Sequence, residues 1–107
     1  MAEGQDDPVL AVETPIGLRV VCSAARWHMI VSVKHPVMGG RLGDVAQTLA
    51  APEEIRQSVR DESVVLFYRR DERRWTCAVV KRLDGEGFLI TCYPTDRIKS
   101  GDILWTR

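Results

Sequence analysis

The chain has 107 residues, 45% of them hydrophobic and 28% charged, a composition that suits one globular domain and excludes a disordered or fibrous chain. Fifteen basic and fifteen acidic residues cancel, so binding to bulk nucleic acid through phosphate neutralisation alone would be weak. No apolar run reaches the ~20 residues of a membrane helix, and the polar, acidic start lacks a secretory pattern, which gives a cytoplasmic expectation.

In chain order, residues 1–8 read as a polar, disordered arm and residues 9–107 as a single domain. Val9 to Val12 is a short strand or an extension of the arm, and Ile16 to Cys22 reads as a strand. Ser23 offers an N-cap for a helix from Ala24 to Lys34, with Trp27, Ile30, Val31 and Lys34 on one face. The β-rich content of Met29 to Val33 makes a strand a competitor there. Pro36 disfavours helical backbone at His35 and so sets the end of the helix. After Met38-Gly39-Gly40, a second helix spans Arg41 to Ala50, its stripe formed by Leu42, Val45, Ala46 and Leu49, and Pro52 closes it. Glu54 to Val59 is a short strand or irregular.

The second half carries three strands rich in β-branched and aromatic residues: Ser63 to Arg70, Trp75 to Leu83 and Gly87 to Tyr93. Asp71 to Arg74 and Asp84 to Gly87 are turn-like, so each neighbouring pair reads as a hairpin. A last turn at Ser100-Gly101-Asp102 precedes Ile103-Leu104-Trp105. The predicted class is α+β, with the helices packed on one face of the sheet.

Strand alternation puts Trp75, Cys77, Val79 and Lys81 on one side, Tyr68 with Arg70, and Thr91 with Tyr93. Lys81 thus ends an apolar face, and Thr91 and Tyr93 interrupt one; a polar group in such a place needs a hydrogen-bonding reason. The plain alternative is a strand-end lysine and a satisfied Tyr–Thr pair. His28 and His35 stand seven apart. For His28 a packed, hydrogen-bonded role is expected, whereas a histidine at a helix end is a residue type suited to proton transfer near neutral pH. Cys22, Cys77 and Cys92 are odd in number, scattered and set in apolar runs, so they read as buried free thiols. No short-range ligand cluster predicts a metal, and no phosphate-binding glycine loop or nucleophile motif occurs.

Several ordered segments resemble one family. They are Arg26-Trp27-His28-Met29-Ile30, Lys34-His35-Pro36, Thr48-Leu49 before Pro52, Ser58 and Asp61, Leu66-Phe67-Tyr68-Arg69, and Ala78-Val79-Val80-Lys81. The string continues through Gly87-Phe88-Leu89-Ile90-Thr91-Cys92-Tyr93-Pro94-Thr95 and Ile98-Lys99-Ser100-Gly101 before Trp105. Together they look like the phage-type branch of the BECR group, the barnase, EndoU, colicin and RelE-like nucleases. The resemblance implies two N-terminal helices packed on a four-stranded antiparallel sheet, and metal-independent RNA cleavage by a toxin or phage-derived ribonuclease without a cofactor. Carried onto this chain it makes His35, Lys81, Thr91 and Tyr93 the catalytic candidates. Arg69 and Arg70 become the phosphate clamp, and Tyr68 and Thr95 substrate contacts. RNA is the implied substrate, and a cognate antitoxin or immunity protein the implied partner. One position departs: Val37 stands where the family usually has an acidic residue. That departure favours the alternative, a catalytically inactive binding or adaptor module. If the site exists, His35 should meet Thr91 or Tyr93 in one groove with Lys81 or an arginine at its rim, because a phosphodiester is small.

Overall fold

A computed structural model describes residues 7–107, so the predicted N-terminal arm lies almost wholly outside the described residues. Strands β1 (Pro8–Glu13) and β2 (Arg19–Ser23) form a hairpin. Helix α1 (Ala24–Met29) follows directly, and the Ser23 hydroxyl accepts the Arg26 N–H at 3.0 Å, as an N-cap should. The helix does not run on to Lys34 as α-helix. It widens into a π-helical turn at Ile30–Lys34, then a 3-10 turn at Pro36–Met38. Helix α2 (Leu42–Ala50) precedes β3 (Glu54–Gln57), and the meander β4 (Val64–Asp71), β5 (Arg74–Leu83) and β6 (Glu86–Thr95) leads to a short β7 (Ile103–Thr106).

All the strands join one sheet of seven in the order β1-β2-β6-β5-β4-β3-β7. Every pairing is antiparallel except β2 with β6, which is parallel over Arg19–Val21 against Glu86–Phe88. The architecture is therefore a mixed, predominantly β fold with two short helices. It is not the α+β arrangement of two helices on a four-stranded antiparallel sheet that the sequence led us to expect. Two physical facts account for the difference. The strand foreseen at Ile16 to Cys22 is present as β2, but β1, β3 and β7 are only four to six residues long, too short for local pattern to place them in the sheet. The parallel contact also depends on Gly87, where a Cβ would meet the Leu18 and Val20 side chains at 3.0 Å. Without a side chain, Gly87 lets β2 lie alongside β6.

The helices cover one face of the sheet. Val45 and Leu49 of α2 and Ile30 of the π turn are fully buried against Val65, Phe67, Ala78 and Val80. Each such side chain contributes about 1.5–3 kcal/mol. The opposite face holds a smaller cluster of Leu66, Tyr68 and Cys77, packed by Trp75, Val79, Tyr93 and Ile98.

Gly87→Ala should lower the melting temperature by about 5–15 °C in a thermal scan, because the added methyl forces Leu18 and Val20 apart. An unchanged melting temperature would show that β2 does not need this close approach.

The cysteines give a second test. Burial pushes the thiols of Cys22 and Cys77 up to about 11 and that of Cys92 to about 12. Each value lies above that of an unfolded thiol, so the stability they contribute is intact below about pH 8.5 and is lost as pH rises toward these values. Alkylation at pH 8 should modify all three at least ~100-fold more slowly in the native chain than in urea, as read by mass spectrometry.

Candidate active site

The site begins where β2 stops. Because β2 pairs only with Glu86–Phe88, the chain leaves the sheet there, and its π and 3-10 turns lie against the rest of β6. The His35 N–H donates to the Ile30 carbonyl at 2.7 Å, five residues back, which is the wide closure of a π turn. Pro36 keeps His35 out of helical backbone, at φ −143° and ψ 77°, and the chain changes direction there. His35 ends half-buried, its ring centroid 5.3 Å from that of Tyr93 with the planes tilted by 42°.

Tyr93 is placed by the β5–β6 register, with Cys77 opposite Tyr93 and Val79 opposite Thr91. Burial first, then the neighbouring Cys77, pushes the Tyr93 phenol above its ordinary range, so it stays protonated at neutral pH and can donate. Tyr68 is fully buried on the next strand, its phenol likewise raised by burial. Its hydroxyl accepts the Lys99 backbone N–H at 3.1 Å, and its ring meets Trp75 edge-on at 6.5 Å. That hydrogen bond anchors the loop after β6, and the Lys99 ammonium consequently stands 5.8 Å from the centre of the Tyr93 ring.

Beside these groups a cavity of about 470 Å³ is floored by Leu66 and Val79 and rimmed by Ser58, Arg60, Thr91, Tyr93, Lys99 and Ser100. The Thr91 hydroxyl oxygen is buried yet has no hydrogen-bond partner among the described residues. An orphan polar atom in such a place is costly unless something else satisfies it. A bulge helps to aim it: Val79 pairs with Thr91 and Val80 with Leu89, so Ile90 is the extra residue on β6.

Tyr93 therefore meets His35 on one side and lines the cavity with Thr91 on the other, while His35 itself does not line the cavity. Lys81 does not join them. It lies farther along the sheet face, opposite Val64 and Phe88, and its ammonium is 3.5 Å from the Asp61 carboxylate. Hydrogen bonds from Ser63, with Lys81 adding to them, hold the Asp61 carboxyl below its ordinary value. Arg69 pairs with Thr76 and so belongs to the helix-covered side. The Arg70 guanidinium stacks 5.2 Å from the Trp75 ring centre and donates to the Glu72 carbonyl at 2.9 Å. Tyr68 is too buried to meet a ligand and acts by holding the Lys99 backbone. The Thr95 hydroxyl donates to the Arg97 carbonyl at 3.2 Å within its own turn. His28 faces outward, 3.4 Å from the Ser32 hydroxyl. Val37 is 60% exposed.

The residues that sequence reasoning missed are Lys99 and Arg60. Their signal was faint, being a lysine immediately before the Ser100-Gly101-Asp102 turn and an arginine in an irregular loop. Among the described residues no group of three or more His, Cys, Asp or Glu side chains could hold a metal ion, and no helix is long and apolar enough to cross a membrane. Compared with known proteins, the chain matches no family model, no curated protein and no solved structure.

Gly101 supplies the test of this geometry. At φ +154° its backbone packs so closely on β3 that a Cβ would fall 2.1 Å from the Gln57 carbonyl oxygen. Gly101→Ala must push the loop away from β3, costing about 1–3 kcal/mol of stability and carrying Lys99 off Tyr93. Thermal unfolding measures the first effect, and a change in the Tyr93 ring proton shifts measures the second; unchanged shifts would detach Lys99 from the site.

Proposed function

We propose that the chain is a metal-independent endoribonuclease in which His35 and Tyr93 transfer protons and Lys99 holds the phosphate. The observation that carries this reading is the His35–Tyr93 pair at 5.3 Å with the Lys99 ammonium 5.8 Å from the same phenol ring. Cleaving RNA without a metal requires a base for the 2′-OH proton, an acid for the departing 5′-oxygen, and positive charge where the phosphorane forms. A phenol is protonated at neutral pH and an imidazole can take up a proton there, so in this reading Tyr93 serves the leaving oxygen and His35 the 2′-OH. The unsatisfied Thr91 hydroxyl donates to a phosphate oxygen, and Arg60 adds a second cation at the cavity rim. Products are a 2′,3′-cyclic phosphate and a free 5′-hydroxyl. The segments within residues 26–105 that resemble phage-type BECR nucleases suggest the same chemistry, with a cognate antitoxin or immunity protein as the partner, although the fold that resemblance implied is not the one observed.

A second reading rests on Val37. With an exposed valine at that position, no carboxylate from it is available to orient His35, and the same groove would then bind RNA or a protein partner without cutting.

Purified chain incubated with single-stranded RNA should generate cyclic-phosphate ends in the presence of EDTA. His35→Ala and Tyr93→Phe should each lower the rate by about 10²–10⁴-fold while leaving the melting temperature near that of the parent. Cleavage that vanishes with chelator and returns with Mg²⁺ would overturn the mechanism. RNA bound but never cut, with normal growth of an induced bacterial host, would favour the binding module.

A further inference from the structure

A second cavity, of about 650 Å³, opens on the same sheet face beyond Lys81. Val20 and Cys22 of β2 turn into the core, so Arg19 and Val21 face the other way, alongside Phe88 of β6. Arg26 enters from the first turns of α1, and Lys81 from β5, so three cations surround a floor that includes Val21, Phe88 and Ile90. No Asp or Glu contributes to the wall, although Lys81 is met from outside it by the exposed Asp61 carboxylate at 3.5 Å; Glu86 pairs with Arg19 in backbone register but does not line the cavity. The Phe88 ring is 40% exposed, which leaves an aromatic surface in water between the cations.

We propose that this cavity binds a nucleotide, its base against Phe88 and its phosphate among Arg19, Arg26 and Lys81. Charge selects the class: guanidinium forks match the several oxygens of a phosphate, whereas an aliphatic carboxylate engages one cation and leaves the others unpaired. The exposed ring selects the other half, because every base has a flat face that stacks on an aromatic side chain. The assignment does not depend on whether the His35 site cuts RNA. A free nucleotide and one unit of an RNA strand present the same base and phosphate. The bulge on β6 places Ile90 in this cavity and Thr91 in the neighbouring one, so a strand lying along β6 would reach both.

Calorimetric and NMR titration of the full chain with 5′-AMP tests the proposal. AMP should shift the Val21, Phe88 and Ile90 amides, and adenosine, lacking the phosphate, should bind about tenfold more weakly. Arg26→Gln should weaken AMP by about the same factor, and Phe88→Leu, which keeps an apolar side chain but removes the ring, by several-fold. Should Arg26→Gln fail to fold, the exposed Arg19→Gln serves in its place. An uncleavable 2′-O-methyl tetra-adenylate decides the source. Tighter binding than AMP, weakened by both Arg26→Gln and Lys99→Ala, identifies a nucleotide within a strand; affinity equal to that of AMP identifies a free nucleotide. The proposal falls if adenosine binds as well as AMP, if both arginine variants bind AMP like the parent, or if about 10 mM AMP shifts none of the three amides.

Discussion

The outer edge of β6 is the constraint from which the rest follows. A strand's backbone groups need neighbours, and β5 satisfies one side of β6 along nearly its full length. On the other side β2 reaches only as far as Phe88, and from Leu89 onward the neighbour is the π and 3-10 turns. Had β2 run on, the helical segment would have had no place at the sheet edge, and His35 would have had no route to Tyr93. The short parallel contact thus divides β6 into a half near Gly87 that is paired with β2 and a half around Thr91 and Tyr93 that is not.

Legibility in the sequence follows the range of the interactions. The meander β4–β6 is local: its strands are dense in β-branched and aromatic residues, and the Asp84-Gly85 turn takes positive φ at both positions, 53° and 81°, as a tight hairpin requires. The parallel partnership of β2 with β6, and the seating of β7 on β3, join segments far apart in the chain and leave no local trace, which is why the seven-stranded sheet was not foreseen. The same distinction separates the site residues. His35 stood out through its own neighbour Pro36, and Tyr93 through its place on an alternating strand. Lys99 is placed by contacts from Tyr68 and by the loop's close packing on β3, neither of which is readable from its flanks. Lys81 has the right face but the wrong rung. Four residues along β5 from the partner of Tyr93, it stands roughly 13 Å away along the sheet.

The face opposite the helices is built in two tiers. Tyr68 and Cys77 form a fully buried lower tier, Leu66 beside them floors the cavity, and Tyr93, Thr91 and Lys99 stand above. The lower tier has a positioning role. The Tyr68 hydroxyl on the Lys99 backbone adds a fixed point to a loop that is also held by Ile98 packing on this cluster and by the turn at Gly101. Burial keeps the phenols protonated in both tiers, yet only the upper tier is open to solvent. Similar side chains thus fill the interior in one layer and border the open cavity in the next.

The π turn ending at His35 also acts as a phase setting. A regular helix closes its hydrogen bonds four residues back, whereas here the His35 amide reaches the fifth, Ile30, so one more residue fits within the turn. Each residue of an α-helix advances the side-chain direction by about 100°, and every residue after the wide turn is offset by about that angle from where a continuous α-helix would aim it. Ile30 can then point squarely into the core while His35, a few positions later, turns to the sheet edge. A single-residue deletion anywhere in Val31–Lys34 would leave composition and charge nearly intact and the sheet untouched. It would nevertheless rotate the imidazole away from the phenol, so the spacing between Ile30 and His35 matters to this chain as much as the identity of the residues within it.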